Sequence, residues 1–183
     1  MSGQAVHHEL ALPSFADPVK LLFVVAPYYK DIADDLLTGA GATARTVGAQ
    51  WEVAEVPGAL EIPTAVRLAH RQADFDGYVA LGCVIRGETT HYETVCNDSA
   101  RGLMLLGLDG ACIGNGILTV ENRDQAVVRA DPRMQNKGGG AAAAALHLIA
   151  LSRKWSVPDR GVGFRAEAGA GPNAGDSEGS QNR

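Results

Sequence analysis

The residues with the most chemical content run from Gly82 to His91 (GCVIRGETTH). An apolar run leads into a glycine turn and then into a helix start. Free backbone N–H groups at a helix start form a natural site for an anion. Thr90 with Glu93 fits a T-x-x-E capping box, in which each side chain satisfies a backbone N–H of the first turn. His91 falls in that turn, beside the positive end of the helix dipole, which favours the neutral imidazole and suits it to move a proton near neutrality. A capped helix whose histidine merely faces solvent has the same spacing, so both readings stay open. The turn is not a P-loop, because no Lys-Ser or Lys-Thr pair follows it, and it does not spell GxGxxG.

Three further groups carry potential chemistry. In Val56-Pro57-Gly58-Ala59-Leu60-Glu61 the glycine lets backbone approach a ligand, and Glu61 at a helix start can accept from hydroxyls or simply complement the dipole. Tyr28 and Tyr29 follow a strand, where an aromatic face can stack on a flat ring or pack in an interface. Arg129, Arg133 and Lys137 form a cationic run that can hold a phosphate, or can complement a helix end and stand in solvent. Asn122 with Gln125 reads as a helix cap. His70 and His147 read as ordinary helix residues, and His7 and His8 are assigned nothing. No second histidine or carboxylate stands at metal-ligand spacing from His91. Cys83, Cys96 and Cys112 form no CxxC pair and read as buried small apolar residues in a reducing cytoplasm.

The elements that must position these residues follow from periodicity. Residues 19–26 (VKLLFVVA) are nearly all apolar, as expected of a strand buried on both faces. Further apolar strands are expected at 51–56, 78–85 and 111–120. Helical spacing predicts helices at 31–47, 61–72, 90–108, 122–130 and 138–155, with Pro63 tolerated in a first turn. Strands alternating with helices make βαβ units. They predict an α/β fold: a four-stranded parallel sheet in a three-layer αβα sandwich, with ligands beyond the carboxyl ends of the strands. Residues 1–16 read as a flexible segment, 17–157 as the folded domain, and 158–183, with six glycines, as a disordered tail.

Composition limits the partners. The 183 residues are 46% hydrophobic and 20% charged, with a net charge of −5. That balance argues against a general nucleic-acid surface. The longest apolar stretch, residues 141–151, is too short to cross a membrane. The start, MSGQAVHHELALPSF, has no basic segment followed by an apolar run, so no signal peptide is expected.

Four segments, PGALEIP (57–63), GCVIRGETTHYETV (82–95), IGNGILTVEN (113–122) and NKGG (136–139), closely resemble the lumazine synthase family, in the family's order. The resemblance runs from Lys20 to about Trp155. It implies a flavodoxin-like fold and a transferase, 6,7-dimethyl-8-ribityllumazine synthase, acting at the penultimate step of riboflavin biosynthesis. The substrates would be 5-amino-6-(D-ribitylamino)uracil and 3,4-dihydroxy-2-butanone 4-phosphate, with no metal or organic cofactor. Matched motif by motif, His91 would be the acid/base residue. Glu88, Thr89 and Arg129 would contact the phosphate. Tyr28 would stack on the pyrimidine. Ala59, Leu60 and Glu61 would bind the pyrimidine and ribityl chain, Cys83, Val84 and Ile85 would hold the ring edge through backbone groups, and Asn115 and Lys137 would complete that side. In the family the Asn115 and Arg129 contributions come from a neighbouring subunit, so a homopentamer, or a multiple of pentamers, is implied. The chain departs from the family pattern in having Tyr where Phe or Trp is usual, Asn115 where many carry Phe, and Arg133 where many carry Lys. A non-catalytic flavin-binding or scaffold oligomer of the same fold is the alternative.

Overall fold

The computed structural model describes residues 10–156. Four strands, β1 (Lys20–Val25), β2 (Gln50–Glu55), β3 (Gly77–Ile85) and β4 (Ile113–Val120), alternate with helices α1 (Lys30–Thr46), α2 (Ile62–Gln72), α3 (His91–Leu108), α4 (Arg123–Ala130) and α5 (Lys137–Trp155). A single 3-10 turn, Ala59–Glu61, leads into α2. All strand pairs are parallel, in the order β2-β1-β3-β4. The expected tail 158–183 and residues 1–9 of the expected flexible segment lie outside the described residues. Within 10–16, Leu12 and Phe15 are partly buried against the core.

The layering follows from chain direction. From β1 the chain crosses one way to β2, then returns past β1 to β3 and on to β4. Right-handed crossovers therefore place α1 on one face and α2 and α3 on the other. The two cores match. Leu21, Phe23 and Val25 pack with Ile32 and Leu36 of α1, Ala126 and Ala130 of α4, and Ala142 and Leu146 of α5. Leu22, Val24 and Ala80 pack with Ile62 and Val66 of α2 and Val95 and Leu103 of α3. This is the three-layer, flavodoxin-like α/β arrangement.

The strands are not equally apolar. β1 and β3 are buried on both faces through most of their length, as central parallel strands should be. β2 (QWEVAE) departs from the apolar expectation: four of its six residues are exposed, because it is an edge strand whose outer faces remain partly uncovered. The NKGG segment has a packing role. Asn136 takes a left-handed conformation (φ 45°), and its Oδ1 accepts from Gly139 N at 3.1 Å to cap α5. A Cβ on Gly138 would stand 2.1 Å from Leu36 O, and one on Gly114 1.8 Å from Ala141 O. Only hydrogen at these positions lets α5 lie directly on α1 and β4.

Candidate active site

The sheet's change of direction opens a cleft. The loops leaving β1 and β3, adjacent strands, diverge to opposite faces, so a crevice forms at their carboxyl ends. The loop after β2 closes its third side. The resulting cavity is about 410 Å³, the size of a small-molecule site. The first loop contributes Ala26, Tyr28 and Tyr29, and the second contributes residues 57–61. The end of β3 and its loop contribute Cys83, Val84, Ile85, Gly87 and Thr89, and α3 contributes His91, Tyr92 and Val95.

Nine residues named from the sequence thus share one cavity: Tyr28, Ala59, Leu60, Glu61, Cys83, Val84, Ile85, Thr89 and His91. Glu88 lies on the same loop, exposed, but outside the lining. Three named residues are not brought to this cleft within the chain. Asn115 lines a separate apolar groove between α3 and α5, with its Oδ1 accepting from Ile117 N at 3.0 Å. Arg129 lies on α4, its Nη1 donating to Gln125 O at 3.0 Å. Lys137 is the first residue of α5. Both helices belong to the face opposite α3. The cationic run is further dispersed, because Arg133 is taken up by Asp131 through its Nε at 3.0 Å and its Nη2 at 2.8 Å.

The start of α3 differs from the expected capping box. Thr90 has helical backbone (φ −66°, ψ −1°) and no side-chain cap bond forms. A capping side chain requires an extended backbone at that position, and Glu93 is instead held by the Arg86 guanidinium. The N–H groups of the turn carrying His91 are therefore left without a side-chain cap, beside the cleft. The expected cap of α4 does form: Asn122 Oδ1 accepts from Gln125 N at 3.0 Å, and Gln125 Oε1 accepts from Glu121 N at 3.0 Å.

The two tyrosines differ in their settings. Tyr29, which precedes α1, packs partly buried on the core, and desolvation raises its phenol pKa. Tyr28 is 74% exposed and meets Tyr29 edge-on, centroids 5.0 Å apart, so a ring face stays free. Glu61 folds back beside Gly58: a Cβ there would stand 3.0 Å from its Oε2. Burial pushes the Cys83 thiol up to about 11, which keeps it protonated at neutral pH. Cys83 is buried as expected, while Cys96, on α3, and Cys112, in the turn before β4, are only partly so.

Tyr92, Val95, Gly87 and Pro57 line the cavity but were not read from the sequence as site residues. Val95, one helical turn after His91, was accessible from i,i+4 spacing. Tyr92 had no such signal. Among the described residues no cluster of three metal-ligating side chains occurs, and no helix is long and apolar enough to cross a membrane.

Comparison with known proteins places these features in one group. A model of the family described as 6,7-dimethyl-8-ribityllumazine synthase matches residues 18–153. A 6,7-dimethyl-8-ribityllumazine synthase of Jannaschia sp. (strain CCS1) is 54% identical over 165 residues, covering 90% of this chain and 92% of its own. Its counterpart in Novosphingobium aromaticivorans is 57% identical over 137 residues, covering 75% and 99%. That of Bartonella henselae is 53% identical over 138 residues, covering 74% and 89%.

Proposed function

The chain belongs to the 6,7-dimethyl-8-ribityllumazine synthase family, and we propose that the cleft at the carboxyl ends of β1, β2 and β3 is where it carries out that synthesis. The reaction joins 5-amino-6-(D-ribitylamino)uracil to 3,4-dihydroxy-2-butanone 4-phosphate in riboflavin biosynthesis. The amine attacks the ketone, water leaves to form a Schiff base, phosphate is eliminated, and the ring closes with loss of a second water. The observation that carries the reading is a single cavity shared by the free face of Tyr28, the Glu61 carboxylate, the edge of β3 and the His91 turn.

In this reading Tyr28 stacks on the pyrimidine and residues 83–85 meet its edge through backbone groups. Glu61 accepts from ribityl hydroxyls. Thr89 and Glu88, with the uncapped N–H groups of α3, border the phosphate. His91 relays protons between the nitrogen and carbon centres. Holding both substrates in one geometry supplies much of the rate, because it replaces a bimolecular encounter.

A homopentamer, or a multiple of it, completes the site. The lining of the cleft contains no Lys or Arg, yet a departing phosphate needs charge-assisted donors. Arg129 and Lys137 stand elsewhere in the same chain and become useful if a neighbouring copy presents them. The apolar groove bearing Asn115 is flanked by exposed Met104, Leu108 and Trp155, surface of the kind that interfaces cover. The three free cysteines support a cytoplasmic location.

Mixing purified protein with both substrates and following product fluorescence tests the activity; absence of turnover rejects it. Light scattering tests the assembly, and a monomer fully active at assay concentration rejects the shared site.

A further inference from the structure

We propose that Arg86 is a positioning residue for this reaction: by tying β3, α3 and the end of β4 together, it holds His91 and the phosphate-facing loop 87–89 in place at the cleft. The inference rests on the site reading above and adds a residue outside the cavity lining. Arg86 is the first residue after β3, and its N donates to Val120 O at 2.9 Å. Its side chain then reaches two carboxylates. Nε donates to Glu121 Oε2 at 2.7 Å, and Nη1 donates to Glu93. The guanidinium also lies over the Tyr92 ring, 4.1 Å from its centroid, close enough for cation–π attraction.

The placement of these partners gives the contact its meaning. Tyr92 and Glu93 directly follow His91 at the start of α3. The loop between Arg86 and His91 contains Gly87, and the helix has no side-chain cap of its own. One side chain therefore spans the loop and fastens the turn that the loop feeds. The far end is firm as well. Glu121 N donates to Gln125 Oε1, within the reciprocal cap of α4.

An isolated exposed ion pair contributes little. Here one planar fork has three partners on two neighbouring segments, and its removal frees all three. A lysine supplies a single point charge and lacks the fork that reaches both carboxylates while stacking on the ring. The groups assigned to the pyrimidine stand on other loops, except the β3 edge itself. Loss of the tie is thus felt on the phosphate side.

The test compares Arg86→Ala, Arg86→Lys and a control, Arg67→Ala, which removes an exposed pair to Asp109 at the opposite end of α3. For R86A, kcat should fall and the KM for the butanone phosphate should rise, together lowering kcat/KM for that substrate at least about tenfold. The KM for the pyrimidine should stay within about twofold. R86K should recover part of the loss, and R67A should leave the split unchanged. Hydrogen exchange read in parallel should show amides of residues 87–94 exchanging faster in R86A than in wild type, which holds whether or not the protein turns over. Equal changes in both KM values, the same split in R67A, or unaltered exchange at 87–94 would overturn the proposal. Failure of wild type to react would instead reject the activity and leave the exchange result to decide on Arg86.

Discussion

Replacing His91 by alanine should separate catalysis from stability. The imidazole is exposed and occupies the first position of α3, so its removal uncovers no core. Alanine is the better helix former by about 0.5 kcal/mol. The melting temperature should therefore hold or rise by about 1–2 °C for a domain of this size. The rate should move the other way. Positioned proton transfer contributes roughly 10²–10⁴-fold, but solvent reaches this open cleft and replaces part of the relay. A loss in kcat of about 10²-fold is expected, or about 2.7 kcal/mol of barrier. Both KM values should remain within about twofold, because His91 is assigned to steps after binding. Product fluorescence at saturating substrates gives kcat, and a thermal melt gives the stability. A variant as fast as wild type refutes the role of His91. A fall in rate matched by a fall in melting temperature refutes the separation.

Other outcomes follow from local physics. Cys83, pushed from 9.0 to about 11 by burial, should alkylate at least about 100-fold more slowly in the native protein than in the unfolded chain at neutral pH, read by mass spectrometry; comparable rates would contradict its burial. Gly114→Ala would place a Cβ 1.8 Å from Ala141 O, so α5 must shift; a loss of about 3 kcal/mol or more is expected in denaturant unfolding, and an unchanged midpoint would mean that α5 does not press on β4. Arg86 holds the Glu93 carboxyl below its usual range, so the ionised form is favoured by folding. That stabilisation is fully present above the unfolded carboxylate pKa and is lost as pH falls through the lower folded value. The difference in melting temperature between wild type and Glu93→Gln should accordingly be constant near neutrality and shrink in acid, and a difference independent of pH down to about pH 3 would refute the tie.

Much of the architecture could be read along the chain because its causes are short-range. The apolar runs of β1 and β3 report burial on both faces, and alternation with amphipathic helices dictates parallel crossovers. Asn122 could be recognised as a cap because an Asx side chain bonds a backbone N–H only three residues away. The same spacing misled at Thr90, where a competitor just outside the motif, Arg86, takes the glutamate and the backbone is helical. β2 was read as apolar because its composition says nothing of whether a strand stands at the centre of the sheet or at its edge. Two of the four motifs, PGALEIP and GCVIRGETTHYETV, marked cleft residues in sequence, while their convergence depends on the strand order β2-β1-β3-β4. Only the folded chain decided that three loops meet around His91, that Lys137 stands away from their cleft, and that NKGG lets two helices touch. Periodicity encodes which face of an element is buried; it carries no information about which distant element covers that face, and a site built from several loops is a product of that second choice.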